Sequence, residues 1–133
     1  VRVLVDDTRR ALAAADLVLV KSGTGTLETM LTGRPMVVAY RVGPWTWRLL
    51  RRLVHSPWIA LPNLLAGETL VPELLQEAAT PEALAESLLR ELADGGARRD
   101  RFRELATELR TGAAGRAAEA VLELATRRGE ARA

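Results

Sequence analysis

An α/β fold with a parallel sheet of about four strands and helices on both faces is what this sequence predicts, and three observations predict it. Short apolar, β-branched runs stand at Val1–Val5, Leu17–Val20, Met36–Tyr40 and Trp58–Leu61, each too brief for a helix and bounded by turn or charged residues. Between them lie segments with helix start and stop signals. Beyond Leu70 only helical patterns follow. Strands alternating with helices are the signature of a parallel layer built from right-handed crossovers.

The elements follow in order. Val1–Val5 is the first expected strand. Asp7 or Thr8 caps a helix running to about Ala15. Leu17–Val20 is the second strand, and Thr24–Leu31 a helix closed by Gly33 and Pro35. Met36–Tyr40 is the third strand. Pro44 suits the first position of a helix that Ser56-Pro57 ends, and Trp58–Leu61 is expected as the fourth strand. Thr80-Pro81-Glu82 supplies a cap, a first-position proline and a first-turn acid. Leu84, Leu88, Leu89 and Leu92 then form one stripe, which Asp94-Gly95-Gly96 stops. Two more helices, about Arg98–Leu109 and Ala113–Thr126, flank Gly112, with a frayed tail from Gly129. The heptad spacing is not sustained, so these helices pack on the sheet or on a partner rather than forming a coiled coil.

Composition narrows the chemistry. The chain has 133 residues, 48% of them hydrophobic, no cysteine and one histidine, His55. That excludes cysteine-ligated zinc, iron–sulfur clusters, thiol nucleophiles and multi-histidine metal sites. The longest stretch without a formal charge, Leu53–Gly67, is interrupted by Pro57, Pro62 and Asn63, too short and too broken to span a bilayer. Opening without methionine on a strand pattern, the sequence reads as the back portion of a larger protein. Its net charge of +2 is unevenly spread: from Thr29 to Gly67 there is no Asp or Glu, while Arg34, Arg41, Arg48, Arg51 and Arg52 give +5 and leave the remainder at −3. One face is therefore expected to be positive, and that segment also carries all three tryptophans.

Three segments carry the candidate chemistry. In the first, a strand ends in Ser22-Gly23-Thr24-Gly25-Thr26 and leads directly into a helix. Such a turn presents the first helix N–H groups to an anion. Gly23 and Gly25 allow a phosphate close to the backbone, and Ser22, Thr24 and Thr26 add hydroxyls. One turn later, Glu28 is placed to accept hydrogen bonds from two neighbouring hydroxyls, as on a ribose. This is neither a P-loop nor the dinucleotide fingerprint. The same residues also suit a plain helix cap, with Glu28 as a capping-box or surface acid.

In the second segment, Arg48, Arg51, Arg52 and His55 share one helix face, while Trp45, Leu49 and Leu53 line another that Trp47, Leu50 and Val54 widen. A basic face beside a Trp/Leu face suits an anionic membrane surface or an amphiphilic substrate, or equally a core stripe with a solvated basic side. The third segment, Leu61-Pro62-Asn63 through Gly67 and Val71-Pro72-Glu73 through Gln76, brings the amide of Asn63 to the same sheet edge, suited to sugar hydroxyls. Glu73 and Gln76, three apart, are read as sharing a helix face, there either to bind a sugar or to sit in water.

In this order, Ser22-Gly-Thr-Gly-Thr-Leu-Glu28, Gly33-Arg-Pro-Met-Val-Val-Ala-Tyr-Arg41, Leu61-Pro-Asn-Leu-Leu-Ala-Gly67 and Val71-Pro-Glu-Leu-Leu-Gln76 resemble the C-terminal region of the lipid-A-disaccharide synthase family, over roughly Val1–Leu92. The resemblance implies a glycosyltransferase B fold, in which two Rossmann-like domains face across a cleft, and of which this chain holds part of the C-terminal domain. It implies transfer of 2,3-diacylglucosamine from its UDP derivative to 2,3-diacylglucosamine 1-phosphate (lipid X) in lipid A biosynthesis, at the cytoplasmic side of the Gram-negative inner membrane, to which such enzymes are peripheral. Ser22, Gly23, Thr24, Gly25 and Thr26 would then bind the donor diphosphate, Glu28 the ribose, and Arg41, Asn63 and Gln76 the diphosphate or the sugar. Trp45, Trp47, Arg48, Arg51 and Arg52 would form the membrane and acyl-chain surface. No metal or other cofactor is implied, the UDP-sugar being a substrate and helix dipoles with arginine stabilising the departing UDP. The catalytic base is expected in an N-terminal domain that has no counterpart here.

Under this reading residues 1–94 form the donor-binding region and 95–133 the C-terminal helices, through which two copies can pair. Rival readings are another UDP-sugar enzyme of the same architecture, such as the peptidoglycan N-acetylglucosaminyl transferase or a UDP-sugar 2-epimerase, and a non-enzymatic peripheral membrane module. Nucleic acid is not an expected partner, since charge alone, with a single lysine, would have to carry it.

Overall fold

A computed structural model describes residues 3–54, 56–94, 96–110 and 113–130. The chain runs α1 (Thr8–Ala14), β1 (Val18–Lys21), α2 (Thr24–Leu31), β2 (Met36–Tyr40), α3 (Pro44–Leu53), α4 (Leu61–Ala66), β3 (Glu73–Leu75), a 3-10 turn at Gln76–Ala78, α5 (Pro81–Asp94), α6 (Arg99–Arg110) and α7 (Ala113–Glu130). The described sheet is parallel throughout, in the order β1-β2-β3, with Val18 opposite Met36 and Tyr40 opposite Leu75.

Period-2 alternation divides β2 between two faces. Met36 and Val38 join Met30 of α2, Ala60, Leu70, Val71 and, from α6, Phe102 and Leu105 in one buried cluster. Val37 points the other way and is also fully buried, on the face where α5 packs against β2. Both faces of β2 are thus covered, as its unbroken apolar sequence requires. Helix ends follow local chemistry. Gly33 and Gly67, with φ of 69° and 68°, take the left-handed conformation beyond α2 and at the end of α4. Thr80 Oγ1 accepts a hydrogen bond from Ala83 N at the start of α5 (3.2 Å).

Two expectations are corrected. Trp58–Leu61 is not a strand: the backbone N–H groups of Ile59 and Ala60 donate to the Glu73 carboxylate (2.9 and 3.0 Å), and Leu61 already opens α4. The strand in that part of the sequence is Glu73–Leu75, so Glu73 and Gln76 do not share a helix face. Of Val1–Val5, residues 3–5 are exposed and in no strand, and the first two lie outside the described residues, as does His55. The sheet therefore has three described strands in place of about four.

Candidate functional site

Because all three strands run the same way, their carboxyl ends, Lys21, Tyr40 and Leu75, meet along one edge. The segments that follow them, Ser22–Thr26, Arg41–Gly43 and Gln76, are the ones singled out from sequence. Crevices at such an edge are where open parallel sheets bind ligands.

The turn after β1 is built around two glycines. Gly23 sits at φ 142°, ψ −163°, where an L side chain is strained although the space around it is open. Gly25 lies so close to the sheet that a Cβ would approach Val20 Cγ2 to 3.3 Å. No side chain caps α2, which leaves its first N–H groups, at Thr24 and Gly25, facing the edge. Thr24 is exposed, and so is Glu28 one turn on.

The other hydroxyls of the turn are committed elsewhere, which corrects their expected use as anion donors. Thr26 is fully buried; its Oγ1 donates to Gly23 O (2.7 Å) and accepts weakly from Leu61 N (3.4 Å). Ser22 Oγ donates to Ile59 O (3.0 Å), tying the turn to the α4 approach. Thr26 and Ser22 therefore shape the turn, and its open donors are the backbone of Gly23–Gly25 and the Thr24 hydroxyl.

Asn63 is corrected more fully. It is completely buried, its Nδ2 donates to Val71 O (2.8 Å) and Glu73 Oε1 (2.7 Å), and its Oδ1 accepts from Leu70 N and Val71 N (both 2.8 Å). A primary amide has two donors and two acceptor sites, and all four are used. Asn63 therefore has no capacity left for a sugar. Gln76, also buried and at φ 52°, holds both backbone groups of Val42: Oε1 accepts from Val42 N (2.7 Å) and Nε2 donates to Val42 O (3.1 Å). Its action is to pin the β2–α3 loop to the end of β3. That contact fixes the loop following Arg41, which is exposed at the edge.

Two participants, Lys21 and Tyr40, were not anticipated, and Glu73 acts otherwise than read. Glu73 joins Ile59, Ala60 and Asn63 into one lock at the base of α4. Lys21 Nζ stands 5.7 Å from the centre of the Tyr40 ring, within cation–π range, so both strand-end side chains are placed at the edge.

Above the edge lies α3, which has no buried residue. Its apolar residues divide into two sets. Trp45, Leu49 and Leu53, at i, i+4 and i+8, are 83%, 59% and 65% exposed and form an outer stripe. Trp47 and Leu50, both half-buried, and just past the helix Val54, 45% exposed, line an apolar pocket of about 320 Å³ with Tyr40, Ile59 and Leu75. Arg48, Arg51 and Arg52, all exposed, line an adjoining groove of about 460 Å³ with Pro44 and Trp47. The edge thus combines uncapped helix N–H groups, several cations and an apolar hollow. Among the described residues no helix is long and apolar enough to cross a membrane.

The family model described as lipid-A-disaccharide synthetase matches residues 1–124. Proteins named lipid-A-disaccharide synthase from Azotobacter vinelandii and from Pseudomonas aeruginosa strain LESB58 are each 57% identical, over 120 and 121 residues, or 90% and 91% of this chain and 32% of theirs. One of the same name from Pseudomonas putida strain W619 is 57% identical over 117 residues, 88% of this chain and 31% of its own. The chain thus spans about a third of the length of the curated relatives it matches.

Proposed function

The chain belongs to the lipid-A-disaccharide synthetase family, and from that premise we propose that it is the donor-binding part of a hexosyltransferase of lipid A biosynthesis. The reaction moves 2,3-diacylglucosamine from its UDP derivative to lipid X, releasing UDP. The three-stranded layer then belongs to the C-terminal half of a glycosyltransferase B fold, with residues 1–94 as the donor region and 95–133 as the C-terminal helices.

In this reading the donor diphosphate lies across the N-terminus of α2, on the backbone of Gly23, Thr24 and Gly25 and the Thr24 hydroxyl, with Arg41 opposite. Glu28 accepts the ribose hydroxyls. Ser22, Thr26, Asn63 and Gln76 act through the backbone they hold. As the glycosidic bond to the diphosphate breaks, negative charge grows on UDP, and the fixed N–H dipoles and Arg41 stabilise it without having to reorganise. The exposed stripe of α3, flanked by Arg48 and Arg52, supports a peripheral position on the cytoplasmic face of an anionic inner membrane. Exposed Val121 and Leu122 on α7 support pairing with a second copy.

The observation that carries the proposal is the convergence on one sheet edge of an uncapped, glycine-built helix N-terminus with Glu28 and Arg41. Thermal unfolding of the 133-residue chain with millimolar UDP tests it. UDP is expected to raise the midpoint by a few degrees, UMP and phosphate by less, and Glu28→Ala and Arg41→Ala to abolish the difference. An equal response to phosphate, or a UDP effect that survives Glu28→Ala, overturns it.

A further inference from the structure

The inner face of α3 is apolar yet packs against a void. Trp47 and Leu50, with Val54 at the pocket's rim just past the helix, look across about 320 Å³ toward Tyr40, Ile59 and Leu75. That volume is at the small end of pockets that enclose organic ligands, roughly 300–1,000 Å³. Its polar lining is sparse: Ser22 at the glycine turn, Ser56, and Arg51. Trp47 and Arg51 also line the groove that holds Arg48 and Arg52, so the apolar pocket and the cationic groove adjoin through two shared side chains. A ligand complementary to both has an alkyl part and an anionic part.

We propose that this pocket takes one acyl chain of an anionic, acylated sugar substrate, with the anionic group in the Arg48–Arg51–Arg52 groove. The proposal rests on the functional reading above and adds to it the location of chain-length selection. α3 then has two separate tasks. Its outer stripe, Trp45, Leu49 and Leu53, meets the bilayer, and its inner face measures the chain. Leu50 and Val54 are the specificity-determining side chains, because they line the apolar hollow without belonging to the buried core. Enlarging either therefore shortens the pocket with little effect on the fold. The occupant is a single chain rather than a bilayer, since the hollow is bounded by the sheet edge at Tyr40 and Leu75 as well as by the helix.

The test titrates the 133-residue chain with decyl phosphate below its critical micelle concentration, following tryptophan fluorescence and the heat of binding, because Trp47 lines the pocket. Saturable one-to-one binding is expected, at least tenfold weaker for hexyl phosphate and absent for inorganic phosphate. Leu50→Trp and Val54→Trp should each weaken decyl phosphate at least tenfold while leaving hexyl phosphate less affected. Leu49→Ser, on the outer stripe, should leave both unchanged and instead reduce binding to vesicles of phosphatidylglycerol and phosphatidylethanolamine. Arg51→Gln should weaken decyl phosphate but not neutral decyl maltoside. The proposal is overturned if binding lacks chain-length dependence, if Leu49→Ser weakens decyl phosphate as much as Leu50→Trp does, or if decyl phosphate does not bind. UDP stabilisation measured on the same samples separates the two readings. A UDP response without alkyl binding removes the pocket assignment alone, and alkyl binding without a UDP response removes the donor reading.

Discussion

At the scale of single residues, Asn63 shows how a polar side chain at a promising edge can be wholly structural. Its four hydrogen bonds hold Leu70, Val71 and Glu73, and Glu73 in turn holds Ile59 and Ala60. Asn63→Ala leaves two N–H groups and a carbonyl unpaired in the interior, each costing about 1–3 kcal/mol. A loss of at least about 3 kcal/mol in urea unfolding is expected, and a loss below about 1 kcal/mol would show the network to be dispensable. Glu28→Ala, by contrast, removes an exposed carboxylate and is expected to change stability by no more than about 0.5 kcal/mol. From the sequence, Asn63 and Glu28 were equally plausible ligand contacts. What separates them is burial and a partner ten residues away, which neither residue type nor local spacing reveals. Gly23 is the opposite case: its place between a strand and a helix marked the turn, and its φ of 142° there is one that L side chains rarely adopt.

At the scale of elements, periodicity was sufficient wherever a segment was long or strongly punctuated: α2, α3 and α5 and strands β1 and β2 lie where their patterns put them. It failed at Trp58–Leu61 and at β3. A four-residue apolar run fits a strand or a buried approach to a helix equally well, and only the Glu73 carboxylate on its N–H groups decides. β3 has three residues, too few to display alternation. The junction of α5 and α6 carries a pH prediction. Glu91 is buried on α5 and receives two 2.7 Å hydrogen bonds from Arg98. Burial raises its pKa above the usual carboxylate value, with Arg98 only partly opposing it. The folded state thus holds a proton more tightly than the unfolded chain. The resulting stabilisation is present below the unfolded pKa near 4.5 and is lost as pH rises through the raised folded value. Stability measured by urea unfolding should therefore fall more steeply from pH 4.5 upward in the native chain than in Glu91→Gln; parallel profiles would contradict this. Arg98→Ala, which leaves the buried carboxylate uncompensated, is expected to cost about 2–3 kcal/mol near neutral pH.

At the scale of the whole molecule, the candidate site is an open edge, with the proposed donor-binding groups on one side and nothing among the described residues to face them. The 133-residue chain supplied with UDP-diacylglucosamine and lipid X is accordingly expected to release no UDP above a Glu28→Ala control, and release above that level would place the full catalytic set within it. The acid-free stretch seen in the sequence proved informative at this scale too, because Arg41, Arg48, Arg51 and Arg52 are all exposed at or above the sheet edge. The core has a different geography. Its sheet side is closed by Phe102 and Leu105 of α6, although the strands they cover end by Leu75. During synthesis 64 residues separate Val38 from Phe102, which at ~5–20 residues per second leaves the apolar side of β2 without its α6 cover for roughly 3–13 s. Throughout that interval the nascent chain holds Met30, Met36 and Val38 without the helix that later buries them, the kind of transiently exposed apolar surface that favours aggregation.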